Sequence, residues 1–203
     1  DFELDADLIE ANGTNLIKNP FNNEKQVNDV LEELRKSSFF IADIENKSQS
    51  SSPKAPFRTS TLQMSAATSL GFTADRTMRS AQNLYEGGLI TYLRTDGISI
   101  STSPNTGEPF SEEKPGPPPL EEIRNLIKKE FDESFLSQQT RIYKSKVQNS
   151  QEAHEAIRPT NISLKPKDLN LGQDEQKLYQ LIWNRTVASQ MVNSKYERKN
   201  LTI

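Results

Sequence analysis

The sequence contains no cysteine and only one histidine, and these two scarcities exclude several kinds of site. Without cysteine there can be no disulfide, no thiolate zinc site and no cysteine nucleophile. A single histidine excludes a multi-histidine metal site within the chain. Only 33% of the 203 residues are apolar and the mean hydropathy is −0.74, so the core is thin for this length. No apolar run approaches the ~18–20 residues of a membrane span.

The sequence also lacks an initiator methionine and a basic leader. Its first residues are acidic and alternate with apolar ones, unlike a signal or transit peptide. We therefore expect the chain to be a fragment of a longer protein. Its length fits one large domain, or one domain with part of another.

A basic overall charge is missing as well. The net charge is −3 and the pI is near 5.4, which argues against a protein that coats nucleic acid. Residues 54–94 are an exception, because their cations outnumber their anions five to two. The cations are Lys54, Arg58, Arg76, Arg79 and Arg94, and the anions are Asp75 and Glu86. Any nucleic-acid function must depend on this local surplus.

Periodicity of the apolar residues predicts a mainly helical chain with strands near both ends. The predicted elements are a strand over 1–11, a turn at Asn12 and Gly13, a helix over 22–35, a strand over 39–44, a Ser- and Pro-rich linker over 48–56, helices capped by Ser60 and Thr73, a strand over 89–94, an irregular loop over 103–119, helices over 120–135, 150–158 and 174–192, and a strand over 199–203 that returns to the first segment. The succession of helix, tight turn, helix and strand between residues 60 and 94 is typical of a winged helix-turn-helix.

The densest group of chemically useful residues lies in residues 88–96 (GLITYLRTD). On a strand, Tyr92 and Arg94 would share one face. A tyrosine hydroxyl has a pKa of ~10, so it becomes a nucleophile at neutral pH only when a cation favours the phenolate. Arginine supplies that cation and its planar fork also binds phosphate oxygens. The spacing suits attack on a DNA phosphodiester, although a half-buried packing tyrosine would show the same spacing.

A second group lies in residues 150–160 (SQEAHEAIRPT). If this stretch is helical, His154 and Arg158 share a face with Glu155 beside them, and together they could hold a phosphate. An ordinary surface helix with ion pairs explains the pattern equally well. No second histidine is present, so the stretch is not a zinc motif.

A third group, residues 56–63 (PFRTSTLQ), places Arg58 and several hydroxyls where a helix is predicted to begin. Backbone N–H groups at a helix N-terminus bind phosphate readily. Simple capping by Ser60 is the alternative explanation.

Taken together, residues 56–63, 81–96 and 151–159 resemble the type IA DNA topoisomerases, because the three blocks occur in order and at similar spacing. Residues 178–183 (LYQLIW) are also similar to that family. The resemblance covers residues 54–203 well and 1–45 loosely. It implies that Tyr92 is the nucleophile, that Arg94 activates it and stabilises the transition state, and that His154 lies near the active site. Further DNA contacts implied in this way are Arg58, Thr59, Ser60, Gln63, Thr95, Asp96, Glu155 and Arg158. Many family members have serine after the Thr-Asp pair, and this chain has Gly97, where no DNA contact is expected.

The resemblance also implies an α+β fold that is mainly α. A helix-rich domain with a CAP-like winged-helix core (53–194) would carry Tyr92. It would be inserted in a β-rich arch domain, of which 1–52 form a part with a linker and 195–203 form the return strand.

The activity that the resemblance implies is relaxation of negatively supercoiled DNA through transient cleavage and religation of one strand. The Mg²⁺ that this requires is held in the family by a Toprim domain. No residues here match that domain, so we expect no metal ligands in this chain and no relaxation by the chain alone. The expected partners are single-stranded or negatively supercoiled DNA and the remaining domains of the same monomeric enzyme, without a membrane. A cytoplasmic, nucleoid-associated location is expected, with an organelle left open. Topoisomerase III and reverse gyrase share this core, so the subclass is also open.

A function from another class is a non-catalytic winged-helix DNA-binding module. Such a module reads base edges with polar side chains on its second helix. The second predicted helix offers Arg76, Arg79, Gln82 and Asn83 for that purpose.

Overall fold

The computed structural model describes residues 5–11, 13–103, 117–144 and 155–203. Helices and strands both occur in these ranges, which confirms the predicted mixture of α and β structure. The elements are β1 (Glu10–Ala11), β2 (Thr14–Asn15), α1 (Glu24–Lys36), β3 (Asp43–Ser51), α2 (Thr59–Leu70), α3 (Ala74–Glu86), α4 (Pro119–Glu130), 3₁₀ turns at Glu133–Phe135 and Pro166–Asp168, α5 (Gln173–Ala188) and β4 (Ser194–Thr202). Among the described residues, none of the helices combines the length and apolar character that a bilayer crossing requires.

The chain divides into two compact units. The smaller comprises Asp1–Ser48 and Glu197–Ile203, and the larger comprises Gln49–Tyr196. The assignment of these segments to an arch domain and a catalytic domain stays a prediction.

The smaller unit contains α1 and the β1–β2 hairpin. Helix α1 begins as predicted, because the side chain of Asn23 accepts a hydrogen bond from the N–H of Gln26. The turn of the hairpin contains Gly13 at φ +72°, a backbone conformation that favours glycine. The long first strand is wrong in its described part, since residues 5–9 are not in a strand. Their partner β2 has only two residues, so the ladder cannot extend over the alternating segment.

Strands β3 and β4 form a two-stranded ribbon. The N–H of Ala42 donates to the carbonyl of Thr202 at 2.7 Å, and Ser194 Oγ donates to the carbonyl of Ser51 at 3.4 Å, so the strands are antiparallel. The predicted return strand is therefore confirmed and longer than expected. The linker prediction is wrong for residues 48–51, because pairing with β4 makes this serine-rich stretch a strand.

The core of the larger unit forms where α2, α3 and α5 pack together, with α4 against α5. Its fully buried side chains include Leu62 of α2, Leu84 of α3 and Ile182 of α5. Tyr179 is also buried within α5, and its hydroxyl donates to the carbonyl of Leu164 at 2.9 Å. Burial raises the pKa of Tyr179 to about 12, so its hydroxyl stays neutral in the folded protein.

The two predicted helices separated by a tight turn are present as α2 and α3. Helix α2 ends at Gly71, whose φ of +67° reverses the chain, and Thr73 then caps α3 by accepting from the N–H of Arg76. The prediction that Ser60 caps α2 is wrong. Arg58 occupies the N-cap position, and its N–H donates to Thr61 Oγ1 at 3.1 Å.

Two predicted elements that overlap the motif blocks 81–96 and 151–159 are wrong. Residues 89–94 do not form a strand, since within them only Ile90 makes a bridge, to Pro159. The described part of the predicted 150–158 helix is extended instead, with isolated bridges to Phe57 and Ser99. Pro159 disfavours helix in the residue before it, and these tertiary partners hold the extended form. The long helices also end sooner than predicted, at Glu130 and Ala188.

Candidate active site

Tyr92 and Arg94 lie on the exposed side of an irregular, bent segment that follows α3. Tyr92 is 50% exposed, whereas Leu93 is 1% and Thr95 is 8% exposed. Arg94 and Asp96 are exposed too, so outward and inward residues alternate from 92 to 96. The alternation expected of a strand is therefore present here without the strand itself. It leaves a phenol and a guanidinium, two residues apart, open to solvent.

The inward side of this segment is fastened to the start of α2 by Thr59. Thr59 Oγ1 lies 2.7 Å from the carbonyl oxygen of Leu93 and 3.0 Å from that of Thr95. The N–H of Thr95 donates to the same Oγ1 at 2.9 Å, and the N–H of Thr59 donates to the carbonyl of Thr95, also at 2.9 Å. One threonine thus contacts the backbone on both sides of Arg94.

The start of the segment is fastened to residues 156–159 by Thr91. Thr91 Oγ1 donates to the carbonyl of Ala156 at 2.7 Å and accepts from the N–H of Arg158 at 3.0 Å. The N–H of Thr91 donates to the carbonyl of Arg158 at 2.9 Å. The blocks 81–96 and 151–159 therefore meet next to Tyr92, and the block 56–63 contacts the same segment through Thr59.

Tyr85 is a neighbour of the candidate nucleophile that the sequence prediction missed. Its ring stands edge-on to the ring of Tyr92, with centroids 5.5 Å apart and an interplanar angle of 68°. Tyr85 lies near the end of α3 and is 39% exposed. The sequence feature that could have predicted this contact is the glycine pair Gly87 and Gly88 after α3. The N–H of Gly88 donates to the carbonyl of Tyr85, and its φ of +69° turns the chain back.

Arg158 and Glu155 form an ion pair inside the larger unit. Arg158 Nε and Nη2 donate to the two carboxylate oxygens of Glu155 at 2.7 and 3.1 Å, and Nη1 donates to the carbonyl of Pro159 at 2.8 Å. The Arg158 side chain is only 9% exposed. Glu155 also accepts from the N–H of Ser101 at 3.0 Å. Because the side chain is buried and three of its donors are bonded inside the protein, Arg158 directs its charge to the fold and not to solvent.

The start of α2 presents a different surface. Arg58 and Ser60 are exposed and Gln63 is partly exposed. Within the described ranges, neither Arg58 nor Arg94 takes part in an ion pair. An exposed guanidinium without a carboxylate partner can bind phosphate oxygens through its planar fork.

The four polar side chains of α3 that could read bases are engaged with carboxylates of the fold. The pairs are Arg76 with Asp174, Arg79 with Asp75, Gln82 with Glu86 and Asn83 with Glu175. Arg76 also lies over the ring of Phe72, 4.3 Å from its centroid. Its hydrogen bond holds the pKa of Asp174 below its usual range, and the same bond raises the pKa of Arg76. This helix therefore has little free hydrogen-bonding capacity for base edges.

No three side chains of the His, Cys, Asp and Glu types gather into a potential metal site in the described part of the chain. Such a site for Mg²⁺ would need carboxylate oxygens with space for substrate phosphates. His154, predicted to lie near the active site, is outside the described residues.

Comparison with known proteins identifies the family. A sequence model described as DNA topoisomerase matches residues 2–203. DNA topoisomerase 1 of Rickettsia bellii is 44% identical over 208 residues, with 98% of this chain and 24% of that protein covered. The Helicobacter pylori strain 26695 enzyme of the same name is 40% identical over 210 residues, covering 98% of this chain and 26% of the relative.

The fold agrees with the sequence comparison. The structure of full-length topoisomerase I from Thermotoga maritima matches with a TM-score of 0.62 and 34% identity, over 85% of this chain and 26% of that one. The chain thus spans about a quarter of the length of its relatives. The predicted resemblance is confirmed, and the chain belongs to the DNA topoisomerase family, among the bacterial type IA topoisomerases.

Proposed function

We propose that this chain supplies the catalytic tyrosine of a type IA DNA topoisomerase, an isomerase that relaxes negative supercoils by opening and resealing one DNA strand. The observation that carries the proposal is the exposure of Tyr92 and Arg94 on a segment whose backbone is fixed from both sides. A nucleophile must be reachable by a DNA strand and must also be held in place, and this segment meets both requirements.

In the proposed reaction, the Tyr92 phenolic oxygen attacks a phosphorus atom of the DNA backbone. A bond from Tyr92 Oη to phosphorus forms, and the bond from phosphorus to one sugar oxygen breaks. The phenol loses its proton, and the departing sugar oxygen gains one and becomes a hydroxyl. The phosphotyrosine ester keeps the energy of the broken bond, so the same hydroxyl can reverse the step without ATP.

Arg94 has two proposed roles in this step. Its positive charge would stabilise the negative charge on the attacking Tyr92 oxygen during the step, and its N–H groups would bind the non-bridging phosphate oxygens as negative charge develops. The exposure of Arg94, and the absence of a carboxylate partner within the described ranges, support both roles.

The DNA strand is proposed to approach along the surface that holds the exposed cations Lys54, Arg58 and Arg94. Ser60 and Gln63 lie at the same end of α2, where the backbone N–H groups carry partial positive charge. Asp96 is exposed and stays a proposed contact. His154 also stays a proposed active-site residue on the strength of the family motif.

Four residues predicted as DNA contacts, Thr59, Thr95, Glu155 and Arg158, are better explained as supports. The hydroxyl of Thr59 is bonded to the Tyr92 segment, and that of Thr95 accepts from the N–H of Gly97 at 2.9 Å. Three of the five N–H donors of the Arg158 guanidinium are bonded to Glu155 and a backbone carbonyl, and the side chain is only 9% exposed. We propose that Thr59, Thr95 and Arg158, with Glu155 as the partner of Arg158, act on DNA through the position of Tyr92 and Arg94.

The wider organisation is proposed from the family. The larger unit would be the helix-rich catalytic domain with a winged-helix core built on α2 and α3, and the smaller unit would belong to the arch. Mg²⁺ does not fit the described residues, so we assign it to a Toprim domain elsewhere in the longer protein. The chain alone would then fail to relax supercoiled DNA. The intact enzyme is proposed to act as a monomer on single-stranded and negatively supercoiled DNA, in the nucleoid or in an organelle.

The alternative, a non-catalytic DNA-reading module, is disfavoured by α3. Its four candidate base readers are paired with carboxylates, as described above, and a reader helix needs such groups free.

Substitution of Tyr92 by phenylalanine in the full-length enzyme tests the proposal. The change removes one hydroxyl and keeps shape and charge, so DNA binding should persist while covalent adducts with labelled single-stranded DNA disappear. Tyr196→Phe is the matched control, because Tyr196 is equally exposed at 50% and should not be needed. Adducts that survive in Tyr92→Phe, or vanish in Tyr196→Phe, would contradict the assignment.

A further inference from the structure

We propose that Thr59 is a positioning residue of the cleavage reaction, which acts by holding the backbone around Arg94 and makes no contact with DNA. The proposal rests on the proposed function of Tyr92 and Arg94. It also assigns to Thr59 a role different from the DNA contact that the family resemblance implied.

The hydrogen bonds of the Thr59 hydroxyl show how the residue acts. A hydroxyl has one proton to donate, and the carbonyl of Leu93 at 2.7 Å is closer than that of Thr95 at 3.0 Å. Thr59 Oγ1 therefore donates to Leu93 and accepts from the N–H of Thr95 at 2.9 Å. With its proton and one lone pair used inside the protein, the hydroxyl has little left to offer a phosphate.

The segment needs this support because it has no strand partner of its own at residues 92–95. Leu93 and Thr95 are buried, so water is not available to replace a lost backbone partner. The Thr59 hydroxyl substitutes for the missing strand, pairing one carbonyl before Arg94 and one N–H after it. The backbone on both sides of Arg94 is thereby held in place.

Thr91 repeats the arrangement on the other side of Tyr92. Each threonine donates its hydroxyl proton to one carbonyl, accepts from the N–H two residues further on, and donates its own N–H to the carbonyl of that second residue. For Thr59 these residues are Leu93 and Thr95, and for Thr91 they are Ala156 and Arg158. Tyr92 and Arg94 thus lie between two equivalent threonine contacts, of which Thr59 is the one nearer to Arg94.

The test compares Thr59→Val and Thr59→Ser in the full-length enzyme, with Thr68→Val as a matched control on the same helix. Thr68 is exposed, and its hydroxyl bonds only to carbonyls of its own helix at 3.0 and 3.2 Å. Single-turnover cleavage of labelled single-stranded DNA and the Kd for the same DNA are measured separately. Valine keeps the shape of threonine and removes the hydroxyl, so cleavage should slow by about 10- to 100-fold while Kd stays constant. Serine should restore cleavage to within about threefold, and Thr68→Val should match the wild type.

A weaker Kd with an unchanged cleavage rate in Thr59→Val would show that Thr59 contacts DNA and would overturn the proposal. An unchanged rate and an unchanged Kd would overturn it too. A wild-type enzyme that forms no covalent adduct would instead refute the proposed function, so the two failures are distinguishable.

Amide exchange of the wild-type enzyme decides the matter if Thr59→Val does not fold. The N–H of Thr95 donates to Thr59 Oγ1 without DNA, so it should exchange slowly in the free enzyme. Fast exchange in the free enzyme, with protection only after DNA is added, would overturn the proposal.

Discussion

Replacement of Arg158 by methionine distinguishes a buried support from a DNA contact. Methionine keeps an unbranched apolar stem and removes the guanidinium with its three hydrogen bonds, two to Glu155 and one to the carbonyl of Pro159. We expect residues 155–160 to open more often in Arg158→Met. We expect the salt dependence of DNA binding to stay as in the wild type, because a side chain that is 9% exposed cannot release counterions from DNA.

The magnitude follows from the surroundings of the ion pair. Hydrogen bonds to charged groups contribute about 1.5–3 kcal/mol each, and breaking a buried pair costs about 3–5 kcal/mol. The Glu155 side chain is 29% exposed and keeps the N–H of Ser101, so it is partly rehydrated when Arg158 is lost. The lower end, about 3 kcal/mol, is therefore expected. At 1.4 kcal/mol per tenfold, this corresponds to roughly a hundredfold faster local exchange.

Hydrogen exchange read by mass spectrometry on the full-length enzyme measures this opening. The N–H groups of Ala156 and Ile157 donate to the carbonyls of Ser99 and Phe57 at 2.9 and 2.8 Å, so they report on the segment directly. Arg58→Met is the matched control, because Arg58 is exposed. It should leave exchange unchanged and should lower the slope of log K against log salt by about one.

The opposite behaviour of the two variants would refute the role of Arg158 as a buried support. An Arg158→Met enzyme with normal exchange and a salt slope reduced by about one would show that Arg158 reaches DNA phosphates. The ion pair with Glu155 would then not represent the DNA-bound state.

Two further predictions concern the charge of Arg94 and the ion pair of Arg76 with Asp174. Arg94→Ala should slow single-turnover DNA cleavage by about 10²–10³-fold, and Arg94→Lys should restore only part of the rate because lysine lacks the planar fork; wild-type relaxation by Arg94→Ala would contradict the role. The pKa of Asp174 is lowered by its hydrogen bond to Arg76, so the pair stabilises the fold above the ordinary pKa of 3.8 and loses that effect as the pH falls through the lowered value. Asp174→Asn should therefore melt below the wild type at pH 7 in calorimetry, with the gap closing as the pH falls through the lowered pKa of Asp174; a gap independent of pH would refute the linkage.

Local sequence signals determined most of the helices and singled out the residues that we propose to react. Helix α3 begins at Thr73 and ends before Gly87 as the capping rules predict, because these signals act within one turn. The motif blocks pointed to Tyr92 and Arg94 as the proposed reacting pair through the resemblance to the family, since such a resemblance depends on residue order alone. The alternation of buried and exposed residues over 92–96 could also be predicted, because the polarity of the side chains alternates along these residues.

Tertiary structure alone decided what the residues around Tyr92 bond to. An alternating pattern does not show whether the backbone has a strand partner, so the sequence predicted a strand over residues 89–94. In the structure, the hydroxyls of Thr59 and Thr91 make hydrogen bonds there in place of a partner strand. Arg158 looked like a phosphate ligand because its motif contains no sign of burial. The position of its partner decides whether a charged side chain points inward or outward. Here the partners of Arg158 are Glu155 and the carbonyl of Pro159. The extended form of residues 155–159 brings them together, whereas the sequence had predicted a helix.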